Sequence, residues 1–228
     1  MILANVRSRL RGADFRLVLL ALSRGDSERR AEYERRLAGE GPDVLLDDPD
    51  LLAALLAVRS LVVPSAPLFV YVAVRNALRS GRVDDRDLAD YLAALVLEFG
   101  QRGRYARIAN ADDETYTYLA DIVSDLGEQD GDGERGFLLQ VHLGNYSLWL
   151  AGLFPAYIAA RRERAGGPGL AYYDAMGRQG FRLASEHRLA ERFGVAGLYR
   201  QVAERFPALR AAFNRLSGEV FFPRRLAS

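Results

Sequence analysis

Twenty-four consecutive residues, Phe137–Ala160, carry no formal charge in a chain where 27% of residues are charged. Leaving so much apolar surface in water costs about 25 cal/mol per Å², so this stretch has to be covered by protein or by lipid. It is long enough to span a bilayer. Against that reading stand Gln140, His142, Asn145, Ser147 and Pro155 within it. The expectation is a buried central helix running from Phe137 to Arg164, with membrane contact through Phe137–Ala160 as the alternative.

Around this segment the chain reads as helix after helix. Apolar residues recur at helical spacing over Leu10–Ser23, and Gly25 follows. Ser27 caps the charged stretch Glu28–Ala38, which Gly39 closes. Asp48 and Pro49 are the cap-plus-proline start of Asp50–Val63. Ser65 and Pro67 begin a helix that ends at Gly81, and Asp84 caps Asp85–Gln101. Asp112 caps Asp113–Leu126. Past a Gly-Gly-Pro-Gly turn at 166–169, helices are predicted over Leu170–Arg192, Ala196–Arg205 and Ala208–Leu216. No run alternates cleanly with the period of a strand. The fold class is therefore all-α, a compact bundle of about eight or nine helices. Its layout has two parts, 1–127 and 137–228, on either side of the acidic linker 128–136.

Composition removes much chemistry. Every basic side chain is arginine, there is no cysteine, and the histidines are His142 and His187 alone. Lysine Schiff bases, phosphate-loop lysines, thiol nucleophiles, disulfides and cysteine zinc sites are excluded. Thirty-one basic residues are met by 30 acids, a balance without the positive footprint of nucleic-acid binders. The arginine-rich N-terminal stretch has no cleavage site of a secretory leader, and the missing cysteines agree with a cytoplasmic protein.

No metal site is expected. Reading Glu128, Asp130, Asp132 and Gly133 as a calcium loop puts Leu139 where the bidentate glutamate belongs. Glu-x-x-His pairs and His-Glu-x-x-His are absent. Asp84, Asp85, Asp87 and Asp90, and likewise Asp121 and Asp125, read as caps and polar helix faces. There is no nucleophile elbow. Gly177 and Gly180 read as a place where a neighbouring helix comes close.

The most distinctive segment is His142-Leu-Gly-Asn-Tyr-Ser-Leu-Trp149. Spacings of three and four put His142, Asn145, Tyr146 and Trp149 on one helix face. Tyr172, Tyr173 and His187 belong to the next long helix, expected to run antiparallel, and complete the candidate binding set. Such a face either forms a satisfied polar network in a core, or lines a pocket for a small ligand or a cofactor of unknown identity, haem on one histidine included. Three functions follow. The first is a structural or interaction protein with a protein partner or homo-oligomer. The second is a small-ligand binder using the His142–Trp149 face. The third is a histidine-dependent enzyme acting on an anionic small molecule, with His142 or His187 as acid–base.

Overall fold

In the computed structural model the described residues are 1–58, 63–109, 114–128 and 133–223. Among them the fold is all-α, with twelve α-helices and no strand. They form two compact units, an N-terminal one of Ala4–Leu97 and a C-terminal one of Met1–Leu3 with Glu98–Ser228. The expected acidic linker 128–136 falls inside the second unit, and its centre, 129–132, lies outside the described residues.

The N-terminal unit holds α1 (Gly12–Ser23), α2 (Ser27–Glu40), α3 (Asp43–Leu46), α4 (Leu51–Val58), α5 (Ala66–Ser80) and most of α6 (Arg86–Phe99). The caps shift by one residue from expectation. Asp26, rather than Ser27, accepts the N–H groups of Glu28 and Arg29 to start α2. Asp85, rather than Asp84, accepts those of Asp87 and Leu88 to start α6. Carboxylates at these positions also favour the positive helix end. Ser65 caps α5 as expected. No residue of α2 is buried, as its all-round polarity dictates. The end of the predicted Asp50–Val63 helix lies largely outside the described residues.

Arginine organises the charges of this unit. Arg75, only 3% exposed, grips Asp47 with two bonds of 2.7 and 3.2 Å and also bonds Asp84. Arg86 holds the other side of Asp47 at 2.7 and 2.9 Å. Arg7 reaches Asp43 at 3.2 Å and Asp87 at 2.9 Å, and its backbone N–H donates to Asp90 at 2.7 Å. Burial alone would raise the Asp47 carboxyl, but the bonds from Arg75 and Arg86 outweigh it and hold the carboxyl below its usual range. The rigid guanidinium fork suits this shared, two-sided grip. Asp84, Asp85, Asp87 and Asp90 are thereby engaged by arginines and helix ends. Among the described residues no three His, Asp or Glu side chains gather as a metal site.

The C-terminal unit is built on α7 (Leu119–Glu128), α8 (Glu134–Leu153), α9 (Pro155–Ala165), α10 (Leu170–Glu186), α11 (Arg188–Arg192) and α12 (Ala196–Leu216). The predicted single helix Phe137–Arg164 is broken: α8 stops at Leu153, and Pro155 restarts the chain as the first residue of α9. Proline cannot donate the next helical bond and fits a first turn. Sixteen of the twenty residues of α8 are buried. No helix among the described residues is long and apolar enough to cross a membrane. The helix predicted over Leu170–Arg192 divides at His187, which caps α11. The two predicted at 196–205 and 208–216 are one helix, continuous through Pro207. Its buried stripe, Tyr199, Val202, Phe206, Leu209, Phe213 and Leu216, holds both halves in line. The helix predicted over Asp113–Leu126 begins only at Leu119. Asp112 and Asp113 lie outside the described residues, and Glu114–Thr117 are not helical.

Three helices make the core of this unit. α8 and α10 run antiparallel, with Gly180 against Gln140 and Gly144, and Gly177 against Ser147. A Cβ on Gly180 would sit 2.7 Å from the Gln140 carbonyl oxygen, and one on Gly177 only 2.2 Å from the Phe206 ring. These glycines admit the close approach read from their spacing. α12 lies along α8 in the same direction. Asn214 donates to the Ala151 and Gly152 carbonyls at 2.9 and 2.5 Å, and Ser217 to that of Leu153 at 2.6 Å. The C-terminal carbonyls of α8 are thus satisfied from another helix.

Candidate functional site

The face of α8 bearing His142, Asn145, Tyr146 and Trp149 forms as spaced, and Phe99, Tyr105, Tyr116 and Thr117 lie against it. Phe99 packs on His142 and on Trp149, with centroid separations of 5.7 and 5.8 Å. Tyr105, the middle residue of the 3-10 turn Arg104–Ala106, lies flat on Trp149 at 4.9 Å. Tyr116 stands 5.9 Å from His142, and the Tyr146 hydroxyl donates to the Thr117 carbonyl at 3.0 Å. A polar aromatic face in a core needs such partners.

His142 is 3% exposed and its Nε2 has no hydrogen-bond partner. Burial, assisted by the nearby Arg104 charge, drives its pKa down to about 3. The imidazole is therefore neutral at physiological pH and a poor proton acceptor. Beside it is a cavity of about 10 Å³ lined by Phe99, Arg104, Val141, His142 and Asn145 among others. That is room for about one water molecule. A haem macrocycle does not fit against His142 in this arrangement.

His187 has different surroundings. Its Nδ1 accepts the Leu189 N–H at 3.1 Å, and its ring packs on Phe137 at 5.1 Å. His142 packs instead on Phe99, Tyr116 and Tyr146, so among the described residues the two histidines share no aromatic neighbour. The expected set is thus divided between a covered α8 face and a helix cap.

Tyr173 lies toward the outer edge of the α8 face, near Tyr146, and Tyr172 packs edge-on against Tyr173 at 6.1 Å. Tyr173 is buried and hydrogen-bonds Arg161, and burial raises its hydroxyl pKa. Arg161 lies 4.5 Å from the centre of the Tyr118 ring, within cation–π reach. Burial raises the Tyr146 hydroxyl pKa, and Tyr105, Tyr157, Tyr173 and Arg161 lie within electrostatic range of it. On the other side Trp149 meets Phe154 at 4.8 Å, and Phe154 meets Phe222 at 5.7 Å. Five aromatic side chains in this neighbourhood, Tyr105, Tyr118, Tyr157, Tyr172 and Phe222, are exposed. Only Tyr172 of these five was singled out from sequence. The others come from different segments and share no local pattern in the sequence.

The structure thus defines an all-α protein whose C-terminal unit carries an aromatic face around Arg161. Set against known proteins, no family matches the chain, and neither does any curated protein or solved structure.

Proposed function

We propose that the protein is a non-catalytic helical interaction protein, engaging a protein partner or a second copy through the aromatic face of its C-terminal unit. The observation carrying this reading is the exposure of Tyr118, Tyr157 and Phe222, at 46, 50 and 56%, with Tyr118 under Arg161, Tyr157 one helical turn before Arg161, and Phe222 on Phe154 beside Trp149. Among the described residues, five of the ten exposed large apolar side chains are these aromatics, Tyr105, Tyr118, Tyr157, Tyr172 and Phe222. Aromatic residues and arginine are the types enriched at protein interfaces and their hot spots. A large exposed apolar patch on a monomer marks such a site. The plugged surroundings of His142 and its depressed pKa disfavour the ligand and enzyme readings.

The test compares the wild-type protein with the double substitution Tyr118→Ser and Tyr157→Ser. Sedimentation of the pure protein reads self-association, and gentle isolation from its own host reads a stoichiometric partner. The wild type should show one of these and the variant should lose it with its melting curve unchanged. A wild-type protein that sediments as a monomer and retains nothing ends the proposal.

A further inference from the structure

Around the aromatic face positive charges outnumber negative ones. Arg102 and Arg107 flank Tyr105 in the chain, and α9 carries Arg161, Arg162 and Arg164 beside Tyr157. None of these five arginines has an ion-pair partner among the described residues. Elsewhere in the same unit Arg135 pairs with Glu114 and Asp125, Arg210 with Asp174 at 2.7 Å and Arg182 with Glu186 at 3.2 Å, whereas Arg178 and Arg200, like the arginines of the face, form no ion pair among the described residues. Of the acids near the face, Glu114 and Asp125 are engaged by Arg135, and Asp121 accepts a backbone N–H at the start of its own helix, while Glu219 lies three residues before Phe222. Glu163 is the one acid among the arginines of α9. A chain with near-zero net charge has therefore left a local positive excess around its most aromatic surface.

From this charge pattern, and resting on the interaction reading above, we infer that the partner is an acidic polypeptide segment. Its carboxylates meet Arg102, Arg107, Arg161 and Arg162, while its apolar side chains lie on Tyr105, Tyr118 and Tyr157. Guanidinium groups hold carboxylates in paired, directional bonds. Placed at the edge of an aromatic patch they add charge complementarity and speed association. A single-stranded nucleic acid would also stack on tyrosines and pair with arginines. The chain's formal net charge of +1 makes it the weaker candidate, because such binding rests on a broad positive field.

The experiment pans a random short-peptide library against the folded full chain, immobilised through its C-terminus. Enriched peptides are then titrated while following the fluorescence of Trp149, the sole tryptophan, which stacks under Tyr105. Enriched sequences should combine Asp or Glu with apolar residues and shift the Trp149 emission. They should lose at least about tenfold in affinity to the Arg161→Gln/Arg162→Gln variant, and a similar factor on raising salt. The variant must keep the wild-type melting curve, and Arg182→Gln, at the paired site, should leave binding unchanged. Enrichment of neutral or basic peptides, equal binding to the variant, or no enrichment overturns the inference. So does tighter binding of a single-stranded oligonucleotide than of any peptide. If a partner or a dimer is nevertheless found and is lost with Tyr118→Ser/Tyr157→Ser, the interaction reading stands and only the acidic partner falls.

Discussion

Tyr105 lies on Trp149 with ring centroids 4.9 Å apart and planes 15° from parallel. The contact joins the surface to the core, because Trp149 in turn packs edge-on against Phe99 and Phe154. Phe99 is fully buried while Tyr105 is 38% exposed. Tyr105→Ala should cost about 1–2 kcal/mol, the worth of an aromatic pair plus part of its area, and should move the Trp149 emission to the red. Phe99→Ala should cost about 3–5 kcal/mol. Urea unfolding followed by tryptophan fluorescence checks both, and equal costs would show that Tyr105 is not an outer layer.

Acid should act on the C-terminal unit through His142. Its pKa is about 3 in the folded chain against 6.5 as the reference, so below pH 6.5 the unfolded state binds the extra proton. Stability is then complete above the unfolded value and falls as pH drops from there toward the folded one. At about pH 5 the loss should be about 2 kcal/mol. His142→Phe should flatten this part of the curve. A wild-type unfolding midpoint unchanged between about pH 7 and about pH 5 would contradict the buried neutral imidazole.

Two glycine substitutions should go in opposite directions. Gly180→Ala puts a methyl 2.7 Å from the Gln140 carbonyl oxygen and 2.8 Å from the Gly144 nitrogen. Backbone cannot step aside cheaply, so α8 and α10 must separate, at about 1–3 kcal/mol or more. Gly197, within α12, has nothing within 4 Å of its would-be Cβ. Gly197→Ala should stabilise by up to about 1 kcal/mol through helix propensity. Thermal melting by circular dichroism reads the two signs.

In the N-terminal unit, Arg75→Met should be severe. It strips a 3%-exposed cation from Asp47, whose side chain is only 16% exposed, and leaves a half-buried carboxylate held by Arg86 alone. The cost should be about 3–5 kcal/mol. Arg30→Met, which breaks an exposed pair with Glu34 on α2, should change stability by less than about 1 kcal/mol. Similar losses for both, measured by urea unfolding, would mean that the Asp47 cluster is ordinary surface charge.

The helical character of this chain and most of its helix positions were readable in advance. Caps such as Ser65, stops near Gly25 and Gly81, and an apolar period act over a few residues, and those signals survive in any context. The same locality explains the α8 face: His142, Asn145, Tyr146 and Trp149 share a side because the helix repeats every 3.6 residues, whatever lies opposite. What lies opposite is a matter of distant parts of the chain. That Phe99, Tyr105 and Tyr116 close over His142, and that His187 turns away to cap α11, depends on packing between segments with no common local pattern. Pro155 breaks a helix while Pro207 does not, because α12 keeps a buried stripe on both sides of its proline and gains more by staying continuous. The exposed tyrosines are the extreme case. Residues 105, 118, 157 and 172 become one surface only after α8, α9 and α10 have packed, and burial and exposure are properties of that packing rather than of any residue's neighbours in sequence.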